Sequence, residues 1–249
     1  MDVKIINSGS SGNCAVVDNV IIIDAGWNVI VDGEVVFLTH HHSDHTKHLD
    51  KMQGLPIYAL PKTIEMLQKQ PRFMYTAFTP LTFGEAVTIK HNGYTYYVKP
   101  VPVKHDVPCT AFDITKWGED VGGFERIFFG TDFNTIVDEE LFINELRNKS
   151  YDAIYIEANN TLNPTDFFDV YFPEEGEKTP KDAFHRSRSF QNHANVDYIA
   201  SLFIRAGYSE DNKFTEPVRL LHKSSFYYSY NPERVVNLCK IAKIVNPIH

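Results

Sequence analysis

The sequence THHHSDH, residues 39–45, is the main basis for the fold and the chemistry that we predict for this chain. It follows directly on the apolar run VVFL at 35–38. A strand predicted over 34–39 places alternate residues on one face, so His40 and His42 point together and His41 points away. Asp44 and His45 then reach the same space from the turn that follows.

Three imidazoles and one carboxylate that converge in this way suit a borderline-soft divalent metal such as zinc. The alternative is a solvated histidine-rich turn. The pattern H-x-H-x-D-H directly after an apolar strand favours the metal site.

The composition limits the class of protein. The chain has 249 residues, of which 43% are hydrophobic and 22% charged, as in ordinary globular proteins. It has no apolar run of membrane-spanning length and no basic-then-apolar leader. Cys14, Cys109 and Cys239 are scattered, which indicates reduced thiols. We therefore expect one domain over 1–249, no membrane contact and a cytoplasmic location, that of the host if the source is viral.

The order of elements favours an α/β protein. Short strands are predicted over 3–7, 15–18, 20–24 and 34–39, with a turn at SGSSGN (8–13) that we interpret as a tight hairpin turn. A helix is predicted over 45–52. The second half is more helical, with helices predicted over 138–148 and 193–206. Residues 159–190 contain three prolines and a mixed charge run, and are predicted to form a long loop or lid.

His40, His42, Asp44 and His45 resemble the H-x-H-x-D-H signature of the metallo-β-lactamase superfamily, which has an α/β, four-layer αββα sandwich fold. The resemblance continues in order along the chain, at Asp24-Ala25-Gly26, His105, Asp132 and His222. It implies that a first metal takes His40, His42, His105 and Asp132. It implies that a second takes Asp44, His45, Asp132 and His222. The implied cofactors are two Zn²⁺ ions, with Mn²⁺ as a possible substitute.

YIEANN (155–160) and QNHANVD (191–197) resemble segments of the RNase Z branch of that superfamily. The resemblance implies catalytic roles for Asp44 at the metals and for Glu157 and His193 as a proton-relay pair. Asn192 and Asn195 depart from the glycine and hydroxyl residue of that branch. Its tRNA-gripping arm is not recognisable, so tRNA maturation is not expected.

The net charge of −8 disfavours a long polyanion as substrate, because a strand-binding nuclease needs a basic groove. One basic cluster contains Arg186 and Arg188, and Tyr227 and Tyr228 follow soon after His222, where they could stack on a base. We therefore expect a small cyclic nucleotide as substrate, as in the compact phage enzymes that resemble RNase Z. The resemblance also implies a homodimer.

Other functions stay open from the sequence. SGSSGN resembles the opening turn of an exonuclease-like branch, which keeps a single-strand nuclease or an RNase Z-like endonuclease as an alternative. A glyoxalase-type thioesterase or a lactonase shares the ligand set. A complete ligand set argues against a binding module without catalysis.

Overall fold

The computed structural model describes residues 1–52, 54–118, 123–161, 191–223 and 232–245. The chain divides into two compact units. Unit 1 comprises Met1–Pro102 and Val107–Phe129, and unit 2 comprises Val103–Asp106 and Gly130–His249. The single domain expected over 1–249 stays a prediction. The predicted lid at 159–190 lies outside the described residues except for its first three positions.

Unit 1 contains a six-stranded sheet in the order β1-β2-β3-β4-β5-β6. The strands are β1 (Val3–Asn7), β2 (Cys14–Val17), β3 (Ile21–Ile23), β4 (Val35–Phe37), β5 (Ile57–Ala59) and β6 (Phe78–Pro80). Pairing is antiparallel from β1 to β3 and parallel from β3 to β6. Every residue of β2, β3 and β4 is buried, which explains why these strands are continuous apolar runs without alternation.

Two predicted elements of unit 1 are wrong in extent. The strand predicted over 34–39 ends at Phe37, because the backbone N–H of Thr39 donates to Asp24 Oδ1 at 2.9 Å instead of to a neighbouring strand. The helix predicted over 45–52 is two short pieces, α1 (Ser43–Thr46) and a 3₁₀ helix at Leu49–Met52. The backbone N–H of His48 donates to Ala25 O at 2.9 Å, so the helical hydrogen-bond ladder stops there. The next helix along the chain is α2 (Pro61–Gln68), with proline in its first turn.

Four further strands form antiparallel ladders: β7 (Val87–His91), β8 (Tyr94–Lys104), β9 (Cys109–Gly118) and β10 (Gly123–Gly130). Asn92 and Gly93 join β7 to β8 with φ of 48° and 77°. Positive φ at both central residues is the signature of the two-residue turn that matches the twist of a hairpin.

Unit 2 contains three parallel strands, β12 (Ala153–Glu157), β13 (Phe214–Leu221) and β14 (Ala242–Ile244). A short strand, β11 (Thr135–Ile136), pairs with the last two residues of β8. Glu157 stands opposite Leu221 in the register of β12 and β13. The carboxyl ends of these two strands therefore lie at the same edge.

The helices in the described part of unit 2 are α3 (Glu139–Arg147), α4 (Val196–Arg205) and α5 (Pro232–Ile241). The helix predicted over 193–206 begins later, at Val196, because Asn195 is its N-cap and accepts from Tyr198 N at 2.7 Å. Val196, Ile199, Leu202 and Phe203 of α4 are fully buried, each worth about 1.5–3 kcal/mol relative to exposure. None of the helices described is long and apolar enough to cross a membrane.

Candidate functional site

The motif cluster of unit 1 consists of His40, His42, Asp44 and His45. His40 Nε2 lies 3.0 Å from His42 Nδ1, and the rings of His40 and His45 are 4.1 Å apart between centroids. His45 Nε2 lies 3.7 Å from Asp44 Oδ2. His40 and His45 are fully buried. Since β4 ends at Phe37, these residues lie in a loop and at the start of α1, and not on the strand end from which we predicted their directions.

Asp24 and Thr39 orient two rings of the motif cluster. Asp24 Oδ2 accepts from His45 Nδ1 at 2.7 Å and from the Thr39 hydroxyl at 2.9 Å. With its hydrogen donated to Asp24, the Thr39 oxygen can only accept from His40 Nδ1, at 3.0 Å. Both rings therefore carry a proton on Nδ1, and Nε2 holds the lone pair that a metal ligand needs. A carboxylate that fixes the tautomer of a histidine is a common support of metal sites.

The fold brings Asp24 and Thr39 together because they follow β3 and β4, which are parallel neighbours. The next turn then approaches the motif so closely that a Cβ on Gly26 would lie 1.5 Å from Asp44 O. Only glycine fits at this position. This contact explains the glycine in Asp24-Ala25-Gly26.

The acid–histidine cluster of unit 2 consists of Asp132, Glu157, His193 and His222. One ligand atom of each lies within 4.8 Å of those of the others. His193 Nδ1 is 2.6 Å from Glu157 Oε1, and His222 Nδ1 is 2.9 Å from Asp132 Oδ1 and 3.1 Å from Glu157 Oε1. Glu157 Oε2 accepts from Phe133 N. Glu157 is fully buried and forms the centre of this network.

Strand ends and unusual backbone conformations position these side chains. Glu157 is the last residue of β12, and His222 follows the last residue of β13. Asp132 and His222 have φ of 54° and 51°, in the left-handed region that costs a non-glycine residue free energy. Asn159 Nδ2 donates to His222 O at 2.8 Å and helps to hold that conformation.

The carboxylates of the acid–histidine cluster stabilise positive charge on the neighbouring imidazoles. Burial would raise the pKa of Glu157, but attraction from His193 and hydrogen bonds from His193 and His222 outweigh burial and hold that pKa below its usual range. Burial would lower the pKa of His222, but Asp132 and Glu157 raise it to about 10. A pocket that stabilises an imidazolium this strongly is also suited to a divalent cation, which would replace the proton.

His105 lies in unit 2, where its Nδ1 is 3.1 Å from the carbonyl oxygen of Asn192. A carbonyl oxygen can only accept, so Nδ1 carries a proton, while Nε2 lies 3.1 Å from Asp106 Oδ1. Asn195, which departs from the RNase Z pattern, has a local role as the N-cap of α4, whereas Asn192 contacts His105 only through a backbone carbonyl that any residue would supply.

The residues present fit a divalent metal: the motif cluster offers the oriented imidazole nitrogens of His40 and His45, and the acid–histidine cluster offers two carboxylates. The allotment of His40, His42, His105 and Asp132 to one ion, and of Asp44, His45, Asp132 and His222 to another, stays a prediction. Arg186, Arg188, Tyr227 and Tyr228 lie outside the described residues.

The orienting role of Asp24 and Thr39 was not predicted from the sequence, and neither was the contact of Asn13 with the motif cluster. Asn13 Nδ2 lies 2.9 Å from His45 Nε2, although its stretch, 8–13, was interpreted as a simple hairpin turn. A polar residue directly before the buried strand β2 was the available signal, but it points to no particular partner.

A family model described as the beta-lactamase superfamily domain matches residues 21–165, which is more than half of the chain. No curated protein sequence matches significantly.

Three solved structures show the same fold. The metallo-β-lactamase fold protein YhfI from Bacillus subtilis has 16% identity and a TM-score of 0.58, over 98% of this chain and 95% of YhfI. Unliganded PDE1 from yeast has 12% identity and a TM-score of 0.61, over 97% of this chain and 95% of PDE1. Zn²⁺-bound PqqB from Methylobacterium extorquens has 16% identity and a TM-score of 0.57, over 98% of this chain and 97% of PqqB.

These matches confirm the predicted fold class, the α/β, four-layer αββα sandwich of the metallo-β-lactamase fold. Together with the histidine and carboxylate clusters, the family match shows a metal-dependent hydrolase. The chain belongs to the beta-lactamase superfamily domain family.

Proposed function

We propose that this hydrolase is a phosphodiesterase with two divalent metal ions, and that it cleaves a P–O bond of a small cyclic nucleotide. The observation that carries the proposal is the hydrogen bond of 2.6 Å between Glu157 Oε1 and His193 Nδ1. It gives the site an oriented imidazole in addition to the predicted ligands. The acid–histidine cluster can therefore move a proton as well as hold a cation.

The pair of Glu157 and His193 can supply the proton that phosphodiester hydrolysis requires. Cleavage of the P–O bond expels an alkoxide, which needs a proton from a positioned acid. Glu157 accepts from Nδ1 and orients the ring, so Nε2 of His193 is the atom that can deliver the proton. A thiolate leaves readily without protonation, so the pair gives less advantage to a thioesterase.

The ions that such a ligand set holds supply activation of water and charge stabilisation at the phosphate. The protein contributes the orientation of the donors. Asp24 and Thr39 fix the rings of His40 and His45, and Glu157 accepts hydrogen bonds from Phe133 N and from His222 and His193. Groups held in this way need no reorganisation during the reaction, which is the source of much of the rate enhancement in enzymes.

The net charge of −8 supports a small substrate over a polymer, because each phosphate of a bound strand needs nearby positive charge. A cyclic mononucleotide carries a single negative charge. The likeness in fold to yeast PDE1 is compatible with this proposal. We further propose Arg186, Arg188, Tyr227 and Tyr228 as substrate-binding residues, and a homodimer in the cytoplasm as the working form.

One assay tests the proposal directly. Purified protein loaded with Zn²⁺ or Mn²⁺ is incubated with cyclic mononucleotides, single-stranded DNA, a tRNA precursor, a thioester and a lactone. We expect turnover of cyclic nucleotides above all other substrates. Preferred cleavage of DNA or RNA would show that the proposed substrate is wrong and that the proposed phosphodiester hydrolysis is right. Preferred hydrolysis of the thioester or lactone would contradict the phosphodiesterase assignment. Sedimentation analysis of the same sample tests the homodimer.

A further inference from the structure

The turn at 8–13 carries an asparagine whose side chain reaches the motif cluster. Asn13 is almost completely buried. Its Oδ1 accepts from Gly9 N at 2.8 Å, and its Nδ2 donates to Gly9 O at 3.1 Å. Nδ2 also lies 2.9 Å from His45 Nε2 and 3.5 Å from Asp44 Oδ2.

The orientation of this amide is determined by Gly9. If the oxygen and nitrogen of the Asn13 amide were exchanged, its NH₂ group would face the N–H of Gly9 and its oxygen would face the carbonyl oxygen of Gly9. Both hydrogen bonds to Gly9 would then be lost. The backbone of Asn13 is held as well, since its N–H donates to Asp44 O at 2.7 Å and its carbonyl accepts from Gly26 N at 2.8 Å. The second hydrogen on Nδ2 therefore points towards His45 and Asp44.

His45 can only accept this hydrogen. Its Nδ1 donates to Asp24 at 2.7 Å, so the lone pair of the ring is on Nε2, 2.9 Å from Asn13 Nδ2. The same lone pair is the one that the predicted second metal requires. A nitrogen lone pair in the plane of the ring serves one partner at a time, so the hydrogen bond and the metal compete.

We propose that Asn13 is a positioning residue that sets the affinity of the second metal site. It donates to His45 Nε2 when no ion is bound, and it releases that nitrogen to a cation by turning the same N–H onto Asp44 Oδ2. The proposal rests on the assignment of Asp44 and His45 as ligands of one ion. It makes the loading of the two ions unequal, because one ion must displace a buried hydrogen bond.

The expected effects follow from what replaces the amide. Asn13→Ala removes the competing donor and should tighten the second ion by about 2- to 10-fold, the range for one buried hydrogen bond. Asn13→Asp keeps an acceptor for Gly9 N and puts a carboxylate oxygen beside His45 Nε2, where it adds a ligand, so the second ion should tighten further than in Asn13→Ala. Ser11→Ala is the matched control, since Ser11 is exposed in the same turn and its hydroxyl contacts Asn7.

The test is calorimetric titration of Mn²⁺ into chelator-treated full-length protein, with the second binding step compared across the wild type and the three variants. Weaker or unchanged binding of the second ion in both Asn13 variants, with thermal melts that show folded protein, would overturn the proposal. A wild type that binds only one ion would instead contradict the two-metal function, so the two failures are distinguishable.

A measurement on the wild type covers the case in which the variants do not fold. The side-chain NH₂ signals of Asn13 are followed by ¹⁵N–¹H NMR during titration with diamagnetic Zn²⁺. We expect them to shift with the second equivalent of zinc and not with the first. Signals that do not respond to either equivalent would show that Asn13 does not take part in metal loading.

Discussion

The side chains of the motif cluster and those of the acid–histidine cluster are oriented in different ways. The four residues of the motif cluster lie within six consecutive positions, 40–45, and two residues outside it, Asp24 and Thr39, orient the rings of His45 and His40. The acid–histidine cluster is assembled from four separate segments of the chain, and one of its own members, Glu157, orients the others. The motif cluster can thus lose its orienting group and keep every donor, whereas the acid–histidine cluster cannot.

This difference indicates a division of labour that mutations can test. The motif cluster has imidazoles with defined tautomers, which suits metal binding. The acid–histidine cluster has two carboxylates beside two imidazoles, which suits both metal binding and proton transfer. We expect variants in the motif cluster to change metal affinity, and variants in the acid–histidine cluster to change chemistry as well.

The largest effect is expected from Asp132→Ala. The resemblance assigns this carboxylate to both ions, so the variant should lose most of its metal and show no measurable turnover. Elemental analysis of protein purified without chelator, together with the nucleotide assay, checks both expectations. Asp211→Ala, which removes an exposed carboxylate of the same unit, is the control. A variant at position 132 that still holds two ions would show that the carboxylate is no bridge.

A smaller but selective effect is expected from His193→Ala. The variant should keep its metal, while turnover of a cyclic nucleotide should fall by about 10²–10⁴-fold, as for a lost general acid. Hydrolysis of bis-p-nitrophenyl phosphate should fall much less, because p-nitrophenolate leaves without a proton. The two substrates are compared in the wild type and the variant. Equal losses on both would mean that His193 positions the phosphate or supports the metals and donates no proton.

Asp24→Asn tests the motif cluster without removal of a ligand. Asparagine tolerates the φ of 62° at this position, but it cannot accept from both His45 Nδ1 and the Thr39 groups. Metal affinity should fall by about 10- to 100-fold, as is typical for a lost orienting carboxylate. Competition with a chromogenic chelator measures it. His41→Ala is the matched control, because His41 belongs to no group of converging donor atoms among the described residues, and its metal affinity should match that of the wild type.

The smallest expected effect is on stability in chelator-treated protein, as a function of pH. Asp132 and Glu157 raise the pKa of His222 to about 10 against the opposing effect of burial. A raised pKa contributes stability that is fully present below the ordinary histidine value of about 6.5 and is lost as the pH rises towards 10.

Thermal melts between these pH values should therefore show a falling melting temperature in the wild type. They should show a flatter profile in His222→Gln, which cannot be protonated. Added Zn²⁺ should remove the pH dependence of the wild type, since the ion replaces the proton. A wild-type profile as flat as that of the variant would show that His222 is not charged in the metal-free protein.

Much of the fold followed from local pattern. The buried strands β2, β3 and β4 are apolar runs bounded by turn residues, and α3 begins after Asp138, whose side chain accepts from Leu141 N at 3.1 Å. The strands β6, β11 and β14 were not predicted, because their two or three residues do not form a continuous apolar run as those of β3 and β4 do. The end of α1 was also missed, since a tertiary hydrogen bond from His48 to Ala25 decides it.

The residues of the candidate site also divide into those that the local sequence pattern reveals and those that depend on tertiary contacts. His40, His42, Asp44 and His45 are recognisable because a short loop keeps close neighbours in sequence close in space. Glu157 and His193 were found only through resemblance, and their contact depends on the segment before α4, which is held at the end of β12 by a hydrogen bond of 2.8 Å from Asn159 N to Ala194 O. Asn13 could not be found from its neighbours in sequence, because its partners Asp44 and His45 are 31 and 32 positions away.

The sequence by itself determined the family, the α/β fold class and the motif cluster, since these depend on residue types at short spacing. The tertiary structure was needed to show which ring nitrogens of His40 and His45 hold the lone pair, because the Asp24 carboxylate that fixes both tautomers, directly at His45 and through Thr39 at His40, is distant in sequence. It also decided that Glu157 lies at the centre of its cluster, where His193 and His222 hold its pKa below the usual range against the opposing effect of burial. Short-range pattern specifies which groups are present, and packing specifies their orientation and protonation.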